Sequence, residues 1–299
     1  MIGAAMIAVL AQVAVSGILL GGVYALISIG LTLIFGVLRI VNFAHGEFLM
    51  IAMYATFWLF HLYGLDPYLS IVLVAGLLFL LGLVAQLLVV RPILNAPSSM
   101  QIFATVGLSV VLQNAALLVW KADYRSVDTF YSKAVISVGP LLVGVSRLVA
   151  FAVALAITGA IFLFLKRTYL GKAIRCVTQD RTAALLMGIN TQRIYMVTFG
   201  IGTALVGIAG ALLMPIYPTF PTVGSYFVLT AFVVVVLGGM GNMTGALLGG
   251  LIIGLVEAFS GFYVPALKEA IYFIVFILVL LIRPTGLFGV VGAEEVGLK

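Results

Sequence analysis

A polar run at residues 39–54, RIVNFAHGEFLMIAMY, carries side chains that could do chemistry next to a long apolar stretch. Asn42, His45 and Glu47 stand where that stretch begins. Ionisable groups at membrane depth are costly and by default indicate a function, here a transport path or gate. These residues could also have a structural role, and the two roles are compatible. Asn42 would cap a helix starting near Ala44, with Glu47 in the first turn at the positive end of the helix dipole.

The sequence contains few residues in an arrangement that could catalyse a reaction. His45 and Glu47, with His61 far away, lack the spacing of a metal site. The string nearest to a phosphate-binding loop, Leu170-Gly171-Lys172-Ala173, has Lys166 where the first Gly belongs and Ala173 where Ser or Thr belongs. Hydrolase and zinc-protease motifs are absent from the sequence. We therefore expect no enzymatic activity, no metal and no cofactor held by this chain.

The stretch from Lys166 to Arg193 is the one sizeable basic segment, with six of the fifteen Lys and Arg residues. The sequence predicts two short helices, Tyr169 to Val177 and Arg181 to Met187, the second capped by Thr178 or Asp180 and stopped by Gly188. The second helix would present an apolar knob ringed by cations; the knob comprises Ala183, Ala184, Leu185, Leu186 and Met187, and the cations are Arg175, Arg181 and Arg193. Such a knob fits a groove on another protein. A helix lying on an anionic membrane surface is the alternative.

The elements that position these groups are membrane helices. Hydrophobic residues make up 64% of the chain and charged residues 8%, and the mean hydropathy is +1.32. Apolar segments lie near 5–20, 22–37, 45–61, 68–90, 101–120, 148–165, 194–215, 226–238, 244–262 and 266–282. Because Gly21-Gly22 and residues 238–243 interrupt them, we expect an all-α polytopic membrane protein with eight to ten transmembrane helices, some broken or short. The cations beside spans are explained by membrane topology, so we expect no nucleic-acid partner.

The orientation follows from the distribution of Lys and Arg over the loops. On the ten-segment reading, ten of these residues fall on one side, with Lys299 among them, and five fall on the other. The richer side is expected to be cytoplasmic. The 166–193 loop and both termini would then be cytoplasmic, and the 121–147 loop would be periplasmic. If the chain is not interrupted near Gly21, the N-terminus alone would lie on the other side. We treat residues 1–299 as a single transmembrane domain.

Two further sets of residues are candidates for the path through the protein. Small residues recur four apart from Gly238 to Gly254, which favours close helix packing, while the break itself frees backbone groups that need a partner or a cavity. This break and the one at Asn42 to Glu47 could be matching positions of an internal repeat. Polar residues on the 101–120 segment, which are Thr105, Gln113 and Asn114, favour hydrogen bonds between helices. Glu257 would lie near the outer interface.

Four strings together carry a resemblance: GLTLIFGVLRIVNFAHGEFLMIAMYAT, GKAIRCVTQDRTAALLMGI, VVLGGMGNMTGALLGGLIIG and LIRPTGLFG. The chain resembles the permease subunit of branched-chain, or hydrophobic, amino acid ATP-binding cassette importers from about Gly17 to Gly289. The loop pattern G-x-A-x-R-A of that family matches at Gly171, Ala173 and Arg175, while Cys176 replaces the last Ala.

The resemblance implies an importer permease fold in the bacterial inner membrane and a set of partners. These are two cytoplasmic ATPases that bind ATP and Mg, a second related permease and a periplasmic binding protein. The resemblance favours a heterodimer, in which the second permease is a different chain. It implies ATPase coupling through Gly171, Ala173, Arg175, Arg181, Ala184, Leu185 and Gly188. It also implies a translocation path or gate at Asn42, His45, Gly46, Glu47, Thr105, Gln113, Asn114, Gly238, Gly239, Gly241, Asn242 and Gly245.

Other functions are also compatible with the sequence. A permease for urea or short amides has similar sequences. An ion-driven secondary carrier would need buried proton relays, for which only His45, Glu47 and Glu257 could serve.

Overall fold

The computed structural model describes residues 2–139 and 141–289, so Lys299 lies outside the described residues. Twelve α-helices occur in the described part of the chain. The long ones are α1 (Ile2–Leu38), α2 (His45–Tyr63), α3 (Ile71–Ala85), α5 (Ser98–Trp120), α6 (Val145–Arg167), α9 (Thr191–Leu213), α10 (Val223–Gly238), α11 (Met243–Tyr263) and α12 (Lys268–Ile282). The short ones are α4 (Arg91–Ile93), α7 (Tyr169–Gln179) and α8 (Arg181–Leu186). A π-helical turn, Gln86–Val90, joins α3 to α4, and a 3₁₀ turn, Pro265–Leu267, precedes α12.

The fold is that of an all-α polytopic membrane protein, as predicted. Seven helical segments in the described chain are long and apolar enough to cross a membrane. Helix α2, with 19 residues, is less apolar because His45, Glu47 and His61 lie in it, and α10 has only 16 residues. A two-stranded antiparallel hairpin in the 121–147 loop, which the sequence reading did not predict, pairs β1 (Val135–Val138) with β2 (Leu141–Gly144).

The predicted break at Gly21-Gly22 is wrong, because α1 runs through it without interruption. A methyl group at Gly21 would stand 2.7 Å from the carbonyl oxygen of Gly250 on α11. Gly17 and Gly254 meet in the same way one turn further out. The paired glycines thus let the backbones of α1 and α11 touch, which is the role of small residues in membrane helices. The small residues of the 238–254 segment have the packing role that their spacing predicts.

Helix α9 occupies the centre of the bundle beside α1. It packs against α1 at Gly202, which faces Gly30, and against α3 at Thr203, which faces Gly82. Phe199 meets Phe48 of α2 edge to face, with ring centroids 6.2 Å apart. The core therefore joins α1, α2, α3 and α9 into one packed unit, while few residues of α5, α6 and α12 are buried within the described chain.

The two ends of the bundle hold different structures. At one end the hairpin lies beside α1, since Gln12 bonds both to the amide and to the carbonyl of Leu142. Arg125 pairs with Thr219 at the same end. At the other end are Arg39, α7, α8 and the turn that precedes α11. We call them the hairpin end and the loop end.

The position of the N-terminus corrects one prediction. Because α1 is continuous and its first half lies at the hairpin end, the N-terminus is on the side opposite to the 166–193 loop. The first 38 residues contain no Lys or Arg, so the charge count per side is unchanged. The loop end remains the richer side. If that end is cytoplasmic, as the charge count predicts, the first half of α1 is predicted to lie toward the external side, whereas the interrupted α1 predicted a cytoplasmic N-terminus.

Two tyrosines tie the hairpin end together. The Tyr131 hydroxyl donates to Asp66 Oδ2 at 2.7 Å, and the Tyr131 ring stacks on Tyr68 with centroids 4.9 Å apart. Tyr68 in turn donates to the carbonyl of Ser146 at the start of α6. Burial and the bond to Asp66 raise the pKa of Tyr131, so its hydroxyl stays a donor at neutral pH. This cluster fixes the 121–144 segment onto the loop that precedes α3 and, through Tyr68, onto the start of α6.

Candidate functional site

The chain folds back into the bundle between α1 and α2. After Leu38 an irregular segment, residues 39–44, returns beside α1, and α2 begins at His45. His45 Nε2 lies 3.0 Å from the carbonyl oxygen of Ile27. Ile27 is eleven residues before the end of α1, which corresponds to about 16 Å along the helix axis. The N-terminus of α2 is thus inside the bundle, well away from the loop end.

This first break concentrates buried polar groups without partners. Among the described residues, both side-chain polar atoms of Asn42, Nδ1 of His45 and Oε2 of Glu47 are buried and lack a hydrogen-bond partner. The prediction that Asn42 caps α2 is wrong, because Ala44 holds the cap position and no side chain caps the helix. Buried polar groups are usually satisfied, and exceptions call for an explanation. A ligand or a moving segment that reaches this level would supply the missing partners.

Glu47 lies in the first turn of α2, as predicted, and beside the first turn of α10 as well. Gly46 is in direct backbone contact with Gly224, and a methyl group at Gly224 would stand 2.8 Å from Glu47 Oε2. The other carboxyl oxygen accepts a hydrogen bond from Ser109 of α5 at 3.2 Å. Glu47 therefore joins three helices at the N-termini of two of them, where the dipoles present positive charge. Nothing in the sequence pattern singled out Ser109.

The polar residues of α5 separate into different roles. Thr105 is fully buried and donates to the carbonyl of Val41 at 3.0 Å, so it satisfies a backbone group freed by the first break. The hydrogen bond predicted between helices is thus made by Thr105 to the irregular segment between α1 and α2 instead. Asn114 is exposed and donates to Val110 of its own helix, so the same prediction is wrong for Asn114. Gln113 is half-buried beside it.

The second break lies at the loop end and is closed by the chain itself. Asn242 caps α11 by accepting from Gly245 N, and its Nδ2 donates to the carbonyl of Phe288. The amides of Leu287 and Phe288 bond to the carbonyls of Leu237 and Gly238. Gly239, at φ +102°, packs against Gly289. The freed backbone groups of this break are thus satisfied by the RPTGLFG segment, which explains why both segments are glycine-rich.

Ten of the twelve predicted path residues fall into two groups, and Gln113 and Asn114 belong to neither. Asn42, His45, Gly46, Glu47 and Thr105 come together at the first break, while Gly238, Gly239, Gly241, Asn242 and Gly245 form the second. Gly36 of α1 faces Gly241. The second group is therefore nine residues, or about 14 Å, closer to the loop end than Ile27 and the first break. The internal repeat that would relate them stays a prediction.

A charged network at the hairpin end went unrecognised in the sequence. Glu257 is 5% exposed and accepts hydrogen bonds at Oε1 from Tyr226 at 2.7 Å and from Lys268 at 3.1 Å. The hydroxyl of Tyr24 lies 3.4 Å from that of Tyr226. The network therefore links α1, α10, α11 and α12. Lys268, in the first turn of the apolar segment 266–282, was the available signal, because a cation within an apolar segment is expected to have a partner.

The loop between α6 and α9 forms the two predicted helices. Asp180 caps α8, since its Oδ1 accepts from the amides of Thr182 and Ala183 at 2.7 and 3.0 Å. Thr178, the other candidate, donates to Ile174 of its own helix instead. Gly188, at φ +78°, follows the end of α8. The predicted boundaries are confirmed to within two residues.

The residues predicted to couple to the ATPases are of two kinds: buried residues that anchor α7 and α8, and exposed residues that form a surface. Gly171, Ala173 and Ala184 are buried, and a methyl group at Gly171 would collide with Phe164 and Leu165 of α6. The side chains that extend outward are Arg175, Arg181, Leu185, Leu186 and Met187, and the exposed Gly188 follows them. Leu186 is 84% exposed and Met187 78%. Single exposed apolar residues are normal, but three in succession among cations indicate a contact surface.

Similarity to known proteins extends over nearly the whole chain. Residues 13–280 match the family model described as the permease component of the branched-chain amino acid transport system. The high-affinity branched-chain amino acid transport system permease protein BraD of Pseudomonas aeruginosa is 33% identical, over 95% of this chain and 97% of its own length. The permease protein LivH of the corresponding system in Escherichia coli is 32% identical, over 94% of this chain and 96% of its own length. No solved structure matches.

Proposed function

Because the chain belongs to the family of branched-chain amino acid transport permease components, we propose that it is the membrane-spanning subunit of an ATP-driven importer for branched-chain amino acids. The relatives reported above are named for these amino acids, which favours them over urea or short amides and over an ion-driven carrier. The chain's apolar interior suits an apolar cargo. Selectivity would then rest largely on a separate binding protein.

Coupling to ATP hydrolysis is assigned to the exposed face of α7 and α8. The proposal rests on the exposed apolar side chains of α8 and the residue after it, which are Leu185, Leu186 and Met187. The helix that carries them is capped by Asp180, and Arg175 and Arg181 lie beside it. An apolar knob with a cationic rim docks into a groove on another protein. The tight contact of Gly171 with Phe164 and Leu165 makes α7 a rigid extension of α6. A push on the knob would therefore move α6 rather than bend the loop.

Helix α9 would carry the same movement to the first break. It follows α8 directly, and its Gly202 packs against Gly30, which also contacts the ring of His45. Phe199 of α9 meets Phe48 of α2. A displacement of α9 would thus shift the N-terminus of α2, where Asn42 and Glu47 hold buried atoms without partners. We assign the gate of the translocation path to this level.

The assembly follows from what the chain itself lacks. The chain's sequence has no phosphate-binding loop, so ATP and Mg are assigned to two separate cytoplasmic ATPases. A second, related permease would complete the path, and a periplasmic binding protein would deliver the amino acid at the hairpin end. The whole assembly is assigned to the bacterial inner membrane.

The direct test is leucine uptake into proteoliposomes that hold this chain, its partner permease and the ATPases, with and without the binding protein. We expect uptake that requires both ATP and the binding protein. Transport of urea or an amide in place of leucine would retain the assembly and change the cargo. Leucine uptake driven by an ion gradient without ATP would refute the proposed mechanism.

The coupling surface has its own test in the same vesicles. Changing Arg175 and Arg181 to Gln together is expected to uncouple uptake from ATP hydrolysis by at least about tenfold, since each cation contributes to the docking rim. Lys133→Gln, which removes an exposed charge at the hairpin end, serves as the control and is expected to leave coupling unchanged. Normal coupling in the double variant would remove α7 and α8 from the ATPase contact.

A further inference from the structure

A large groove opens at the loop end between α1, α6, α7 and the turn before α11. Its volume is about 1160 Å³. Arg39, Lys166 and Arg175 line it, and none of its lining residues in the described part of the chain is Asp or Glu. Within the residues that the structure describes, none of these three cations has a carboxylate within 4.0 Å. The groove therefore has an excess of positive charge that the described protein does not neutralise.

The wall that α6 contributes changes character along its length. Gly159, Leu163 and Lys166 lie on one face of α6, spaced four and three residues apart, and all three line the groove. A methyl group at Gly159 would meet nothing within 4 Å, so this part of the wall is open. Leu163 is 52% exposed. An apolar channel thus leads from the cations toward the middle of the membrane.

We propose that this groove binds an anionic phospholipid of the cytoplasmic leaflet, with the phosphate among Arg39, Lys166 and Arg175 and an acyl chain along Gly159 and Leu163. The match is one of charge and shape. Basic pockets between membrane helices on the cytoplasmic side attract anionic headgroups. A soluble anion would use the cations but would leave the apolar wall uncovered.

The lipid would also touch the moving part of the permease. Arg175 belongs to α7, and its guanidinium donates to the carbonyl of Lys166 at 3.5 Å, at the junction of α6 and α7. A bound headgroup would bridge these two residues and reinforce the junction of α6 and α7. Binding itself does not depend on the coupling role assigned to α7, so the two proposals fail separately.

The test is native mass spectrometry of the full-length chain released from vesicles that contain equal amounts of phosphatidylglycerol and phosphatidylethanolamine. We expect selective retention of phosphatidylglycerol and an approximately fivefold loss of retention in Lys166→Gln. Arg167→Gln, which removes the adjacent exposed cation outside the groove, is the matched control and is expected to retain the lipid. Gly159→Leu keeps every charge but fills the apolar wall, so it is expected to lower retention as well.

Several results would overturn the proposal. Equal losses in Lys166→Gln and Arg167→Gln would indicate general surface attraction. Equal retention of the two lipids would remove the role of the negative charge. Displacement of the lipid by millimolar inorganic phosphate would assign the cations to a soluble anion, and full retention in Gly159→Leu would place the acyl chain outside the groove.

Discussion

The pair of Glu257 and Lys268 allows a quantitative prediction about stability. Glu257 is 5% exposed, and Lys268→Met would remove the cation 3.1 Å from its Oε1 while keeping the aliphatic stem. Breaking a buried pair costs about 3–5 kcal/mol, because the remaining charge is left without compensation. The Lys268 side chain is 36% exposed, so water already weakens this pair, and Tyr226 still donates to Glu257 after the change. We therefore expect a loss of about 2–3 kcal/mol in the free energy of unfolding.

The measurement is reversible unfolding in mixed detergent micelles, arranged as a double-mutant cycle. Glu257→Gln in the Lys268→Met background removes the uncompensated charge, so the double variant is expected to be more stable than Lys268→Met alone. Lys133→Met is the control: its partner Asp128 lies 3.3 Å away, but both side chains are more than three-quarters exposed. That change is expected to cost less than about 0.5 kcal/mol. Additive single changes in the cycle would refute a coupled pair.

Three further predictions concern packing, topology and the loop helices. Gly21→Ala is expected to destabilise the protein by about 1–3 kcal/mol in the same unfolding assay, because the methyl group meets the α11 backbone, while Gly76→Ala, which meets nothing within 4 Å, is expected to change stability little. In a background without Cys176, an impermeant maleimide added outside intact vesicles of native orientation is expected to label Met6→Cys, and Arg181→Cys only after permeabilisation; the reverse result would refute the external N-terminus. Asp180→Ala is expected to cost α8 about 1 kcal/mol, seen as faster proteolysis of the loop, because two capped amides lose their acceptor.

The loop helices were predictable from sequence because their signals are local. Asp180 precedes a short apolar run, and Gly188 can adopt the left-handed conformation that ends it. The start and the end of α8 both depend on residues within one or two helical turns, so a single sequence is enough to predict them. The apolar segments were equally visible, since the membrane requires long stretches without charge.

The wrong predictions have a common physical cause. Each depended on contacts between segments that are distant in the sequence. A Gly-Gly pair such as Gly21-Gly22 reads as a helix breaker in isolation, but in a membrane bundle it is also what close packing requires, and only the opposing Gly250 decides between the two. That single choice also placed the start of the chain at the same end of the bundle as the 166–193 loop, whereas the continuous α1 brings its first half to the hairpin end. In the same way, Asn42 resembled a cap because the sequence does not reveal that the chain turns back into the bundle before α2 begins.

The two breaks solve the problem of irregular backbone in a membrane in opposite ways, and this difference bears on function. At the second break, Asn242 and the amides of Leu287 and Phe288 satisfy the freed groups, so the turn is locked to the C-terminal segment. At the first break, Thr105 satisfies Val41, but the side chains of Asn42 and Glu47 keep buried atoms without described partners. A locked turn can transmit force, whereas an incompletely satisfied one can change its partners at lower cost. The first break is therefore the better candidate for the part that rearranges as cargo passes.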